Sequence, residues 1–310
     1  MSKTIVDGSY CAGKIRDVHG PRGEAWLEML PALLAEFAAR WSLTILPPFP
    51  VPSYNYVAPA VGPDGEAWVL KAGVPHGELW SEIDALRAFG GHGTVPLLDA
   101  DRARGVLLLE RVLPGRSLRE VTSVDGQIAA LTGVLQRVRR PLPGEHPFMT
   151  LADLARGFDR LRAAFGGGYG PFPPERIERA AALFRELAGE GANTMLIHGD
   201  MNPGNVLRGE QDGWLAIDPK GYAGHPYFDV ATFLNDPPDA LSAAELMSLQ
   251  ARRVAALAGA LGAPRHELLA WAEAHAVLSG WWSFEDHGAG WERALGLAEM
   301  YETLGSVAGR

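Results

Sequence analysis

The chain has 310 residues, 47% hydrophobic and 21% charged, which excludes a disordered or fibrous protein and suits two domains, each large enough for its own core. A formal net charge of −9 argues against nucleic acid as a partner, because phosphate backbones are drawn to basic faces. No run of about 18 apolar residues occurs, Met1–Ile5 lacks the apolar core of a signal peptide, and the single cysteine, Cys11, excludes an intramolecular disulfide, so a soluble cytoplasmic protein with no membrane partner is expected.

Over residues 22–41, Trp26, Leu30, Leu33, Leu34, Phe37 and Trp41 recur at helical spacing and predict an amphipathic helix, which Pro31 kinks or shortens. Leu46–Pro50 is extended chain. Ser53–Val57 and Ala67–Lys71, joined across the turn Pro63-Asp64-Gly65, form a hairpin. A helix over 78–89 then places Leu79, Ile83, Leu86 and Phe89 on one face. Two further strands, 95–99 and 105–110, flank the polar turn Asp101–Arg104. After residue 115 helical periodicity dominates, with helices expected at 117–121, 125–139, 151–165, 174–190, 241–261, 265–287 and 290–306. Thr150 and Pro173-Pro174 signal helix starts. The sum is an α+β protein of two lobes: residues 1–112 with an antiparallel sheet and helices, and residues 113–310, larger and mainly helical.

Within that second lobe, His198-Gly199-Asp200 is followed by Asn205, and Asp218 ends the apolar run Trp214–Ile217. Phosphoryl transfer needs little covalent work from a protein; it needs positioning and charge neutralisation. One carboxylate faces the acceptor hydroxyl, while an amide and a second carboxylate hold Mg²⁺, a hard cation that keeps several waters. Asp200, Asn205 and Asp218 supply that set as candidate catalytic residues, Asn205 and Asp218 as the metal ligands. Pro203-Gly204 forces a tight turn that aims Asp200 and Asn205 into one cavity. Lys71, closing its strand, suits the nucleotide phosphates, with Glu82 on the following helix as its partner and Glu78 as the competitor. The chain at Glu110, Arg111 and Val112, where composition shifts towards helices, is the expected hinge whose backbone hydrogen-bonds an adenine ring.

These residues resemble small-molecule kinases of the aminoglycoside phosphotransferase type, closest to the streptomycin 6-phosphotransferase and hydroxyurea phosphotransferase branch. The likeness runs through Ala25–Pro31, Trp41–Pro50, Val69–Lys71, Glu82–Leu86, His198–Leu207 and Leu215–Gly221, nearly the whole chain. The resemblance implies a protein-kinase-like fold, ATP or GTP with Mg²⁺, and transfer of the γ-phosphate to a hydroxyl of a small polar acceptor, an aminoglycoside such as streptomycin first. It implies Asp200 as the base, His198 orienting its loop, and Asp229 as a structural acid that hydrogen-bonds that loop from the next helix. Two departures from protein kinases stand out. No G-x-G-x-x-G precedes Lys71, which leaves Ser53-Tyr54-Asn55-Tyr56, with Ser53, Asn55 and Tyr56 as the contacts, to cover the phosphates, and only ten residues separate Asp218 from Asp229, too few for a peptide-docking segment. Near the C-terminus, Trp271, His275, Leu278 and Trp282 form a stripe that reads as core or as an acceptor wall. On the second reading Trp282, Glu285 and Asp286 stack on a sugar and pair with amino or guanidino groups. A sugar, amino-sugar or metabolite kinase, and a nucleotide-binding pseudokinase, are the alternatives.

Overall fold

The computed structural model describes residues 11–50, 53–142, 144–189, 194–210 and 213–308. The chain divides into two compact units, Met1–Gly115 and Arg116–Arg310.

In the first unit, helix α1 (Ala12–Arg40) precedes a five-stranded antiparallel sheet of order β1 (Thr44–Ile45), β2 (Tyr56–Val61), β3 (Ala67–Ala72), β5 (Val106–Glu110) and β4 (Leu97–Asp101). The helix begins ten residues before the expected start and passes through Pro31; its non-helical residue is Gly20, at φ 52°. Glycine meets no Cβ penalty in the left-handed region, so the chain bends there and resumes. Strand alternation sorts the sheet faces. Tyr56, Ala58, Ala60, Leu70, Ala72, Val106 and Leu108 join Ile15, Leu30, Leu34 and Phe37 of α1 in one buried cluster. Lys71 falls on the opposite face, towards helix α2 (Gly77–Phe89). That helix buries Leu79, Ile83, Leu86 and Phe89 and ends at Gly90, left-handed at φ 57°.

After strand β6 (Pro114–Ser117) the first long helix of the second unit is α3 (Val124–Val138), capped by the Ser123 hydroxyl, which accepts from Gly126 N–H. The expected helix over 151–165 is two, α4 (Leu151–Leu154) and α5 (Arg156–Ala164), the first opened by a Thr150/Asp153 capping box. Such a cap contributes about 1 kcal/mol. Helix α6 (Pro174–Leu187) starts on proline, whose fixed φ suits a first turn. Four very short strands, β7 (Arg140–Pro141), β9 (Met195–Ile197), β12 (Tyr222–Gly224) and β8 (Met149–Thr150), form a sheet in that order. The hairpin of β10 (Val206–Gly209) and β11 (Trp214–Ala216) follows, then helices α7 (Tyr227–Leu234), α8 (Ala243–Leu261), α9 (Arg265–His287) and α10 (Trp291–Ala308). Helix α9 has the span its periodicity predicts. Its fully buried Trp271 meets Phe184 of α6 and Phe228 of α7 edge-to-face, at 5.4 and 5.7 Å between centroids. Among the described residues no helix is long and apolar enough to cross a membrane.

Candidate active site

The segment from His198 to Asn205 is held at both edges by backbone hydrogen bonds. Asp229, in the first turn of α7 and 1% exposed, accepts from His198 N–H at 3.0 Å and from Gly199 N–H at 2.7 Å. Burial pushes its carboxyl above the usual carboxylate range, opposed by His198 and those two N–H donors. One turn along α7, the Thr232 hydroxyl accepts from Met201 N–H at 2.8 Å and donates to the Asp229 carbonyl at 2.9 Å. Gly199 sits at φ 85°, and a Cβ there would stand 2.6 Å from the Tyr222 ring, so the sharp bend after His198 requires glycine.

His198, fully buried, fastens two segments together. Its Nδ1 accepts from Asp200 N–H at 3.2 Å, and its Nε2–H donates to the Ile217 carbonyl at 2.9 Å. A backbone N–H at one ring nitrogen and a carbonyl at the other set a single tautomer. The His198 carbonyl accepts from Lys220 and Gly221 N–H at 2.8 and 3.1 Å, and Ile217 N–H donates to the Asn205 carbonyl at 2.9 Å. Asp218 is thereby tied from both sides beside the Asp200–Asn205 turn. Its backbone lies in the left-handed region, at φ 58°. That conformation costs a non-glycine residue on the order of 1–2 kcal/mol, and the flanking hydrogen bonds supply the restraint.

Asp200, Asn205 and Asp218 are each half-buried. The Asn205 amide donates to the Asp200 carbonyl and to its carboxylate Oδ2, both at 3.0 Å. Asn202 donates to the other carboxylate oxygen, Oδ1, at 2.9 Å. Because its nitrogen is committed to Asp200, Asn205 has its amide oxygen left to meet a cation. An amide oxygen and the Asp218 carboxylate are the hard donors that suit Mg²⁺. Asn202 and Thr232 also shape the site, though neither is a candidate in the sequence pattern. The Asn-Pro pair was a turn signal for the first; nothing in the pattern marked the second.

In the first unit, Lys71 Nζ donates to Glu82 Oε1 at 2.7 Å, the side chains 3% and 8% exposed. Glu78, the other candidate, is largely exposed, 4.0 Å from His76. Asn55 N–H donates to the Ser53 hydroxyl at 3.1 Å, closing a small turn. Tyr56 is a correction. Expected over the phosphates, its side chain is 1% exposed in the core shared with α1, because β2 alternation turns it inward, and burial pushes its hydroxyl pKa up to about 12. The N–H groups of Glu110 and Arg111 are already given to the Pro96 and Ala67 carbonyls, at 3.1 and 3.0 Å. Of the acceptor candidates, Trp282 is half-buried with its ring 6.1 Å from that of His275, Glu285 lies 3.5 Å from Arg160, and Asp286 is exposed. Trp271, His275 and Leu278 of the same stripe are buried core.

Comparison with known proteins places the chain in a family. Residues 52–288 match the family model described as aminoglycoside/hydroxyurea antibiotic resistance kinase. The chain is 32% identical to a streptomycin 6-kinase of Streptomyces glaucescens, over 93% of this chain and 94% of that protein. It is 34% identical to a hydroxyurea phosphotransferase of Kitasatospora aureofaciens, over 91% and 81%. A choline/ethanolamine kinase family protein from Mesorhizobium loti superposes with a TM-score of 0.63 at 14% identity, covering 89% of this chain and 94% of that one. The fold is protein-kinase-like.

Proposed function

The chain belongs to the aminoglycoside/hydroxyurea antibiotic resistance kinases, and from that premise we propose that it moves the γ-phosphate of ATP to a hydroxyl of a small polar molecule, an aminoglycoside such as streptomycin. One observation carries the reading. The Asp200 carboxylate is gripped by two amides, and one of these, Asn205, is tied through Ile217 to Asp218. This is the division of labour that phosphoryl transfer asks for: one carboxylate for the acceptor, an amide and a second carboxylate for the metal.

Asp200 takes the proton of the acceptor hydroxyl, or orients it, at whichever carboxylate lone pair the two amides leave open. Asn205, through its amide oxygen, and Asp218, through its carboxylate, would hold Mg²⁺. When bound, the ion neutralises charge on the phosphate oxygens. Lys71, kept in place by Glu82, pairs with the nucleotide phosphates, so residues 1–112 serve the nucleotide and 113–310 the chemistry and the acceptor. Asp229, Thr232 and His198 bind neither substrate; they keep the loop in register. The acidic pair Glu285 and Asp286, with Trp282, is assigned to a cationic acceptor. The cytoplasm, where ATP and Mg²⁺ are abundant, is the compartment that suits this chemistry.

The test is a panel: purified protein, ATP and Mg²⁺ with streptomycin, hydroxyurea or amino sugars, following ADP release and product mass. Streptomycin is expected to gain one phosphoryl group. Efficient turnover of an amino sugar, with none of streptomycin or hydroxyurea, would reassign the acceptor and leave phosphotransfer standing. ATP binding without transfer to any of them would point to a binding module instead.

A further inference from the structure

Asn202 is both the cap of a turn and a ligand of the Asp200 carboxylate, and the two ends of its amide do different work. It is the N-cap of the 3₁₀ turn Pro203–Asn205, with extended backbone at φ −69°, ψ 157°. Its Oδ1 accepts from Gly204 N–H at 2.8 Å, and its carbonyl accepts from Asn205 N–H at 3.0 Å. With the oxygen engaged by the turn, the orientation of the amide plane is settled, and only the NH₂ end has protons to give a carboxylate. That end lies 2.9 Å from Asp200 Oδ1. The turn is itself restrained, since Pro203 has a fixed φ and its carbonyl accepts from the Ser117 hydroxyl at 2.9 Å.

We infer that Asn202 is a positioning residue for the reaction: it transmits the geometry of the turn to the rotamer of Asp200. The inference rests on the reading that Asp200 serves the acceptor hydroxyl. Two donors, one on each oxygen, hold the carboxylate plane against rotation about χ2. With Asn205 alone the group pivots about one oxygen; a full displacement of about 1 Å costs roughly 10²-fold in rate, and a partial pivot about tenfold. A side chain that only caps would accept from Gly204 N–H and need no donor; serine and aspartate cap as well as asparagine does.

The experiment compares wild type with Asn202→Ser and Asn202→Asp, which both keep an acceptor for Gly204 N–H. The serine is too short to reach Asp200, and the aspartate sets a like charge against it. Steady-state kcat and KM for ATP and acceptor are measured beside thermal melting, with Asp200→Asn as the control. The expected order of kcat is wild type, then serine lower by about tenfold, then aspartate lower by about a hundredfold, with KM for ATP and melting temperature unchanged. If both variants turn over like wild type while Asp200→Asn is inactive, Asn202 is a cap alone and the inference is wrong. If both lose activity together with melting temperature, the role is structural and the inference again fails. If Asp200→Asn itself turns over normally, the reading of Asp200 falls first.

Discussion

Replacing Asp229 isolates the contribution of the clamp without touching a group assigned to substrate or metal. The carboxylate accepts two buried backbone N–H groups, from His198 and Gly199. Asp229→Ala leaves both without their acceptor, and each orphaned buried donor costs about 1–3 kcal/mol. Part of that is offset, because the variant no longer buries a charge, the same desolvation that holds the Asp229 pKa up. A net loss of about 2–4 kcal/mol in local stability follows. Asp229→Asn keeps one acceptor oxygen and turns an NH₂ against the second N–H, for roughly half the loss. Hydrogen exchange followed by mass spectrometry over peptides containing residues 195–202 reads this directly. Opening there should become about 30-fold to a thousandfold more frequent in the alanine variant, and about 5- to 30-fold in the asparagine variant. Protection equal to wild type in both variants would refute the account of how the loop is held.

His275 gives a pH signature. Burial pulls its pKa down to about 4, and its Nδ1 accepts from Asn235 at 2.9 Å. A histidine depressed in the folded state binds its proton better when unfolded, so stability falls as pH drops from about 6.5 towards 4, by up to about 3 kcal/mol. Thermal melts across that window should show His275→Gln with a shallower slope than wild type; identical slopes would remove His275 as the cause. At the proposed metal site, Asp218→Asn should raise the Mg²⁺ concentration for half-maximal activity by at least about tenfold. An unchanged Mg²⁺ titration would take Asp218 out of the ligand set.

Long periodic segments are legible in the sequence. Helix α9 has twelve buried positions along 23 residues and ends at a left-handed Gly288, so pattern and stop signal coincide. The strands β7, β8 and β12 were not legible, because two or three residues carry no period and their partners lie far off in the chain, as with Tyr222 and Met149. Residues 12–21 of α1 fell outside the expected helix; tertiary burial of Cys11, Ala12 and Ile15 holds that stretch in place, and the chain bends at Gly20 before resuming. At the site, the turn chemistry of Pro203-Gly204 made the juxtaposition of Asp200 and Asn205 readable. The inward turn of Tyr56 was not, since strand register decides it and the register depends on where β2 begins. The second bond of Asn202 likewise exists only once the turn has folded.

The most direct trial of the central claim is Asp200→Ala, assayed for phosphoryl transfer and, separately, for ATP binding. Loss of the group that faces the acceptor should cut kcat by at least about 10²-fold, some 2.7 kcal/mol, with nucleotide affinity kept. Turnover within about tenfold of wild type would contradict the assignment.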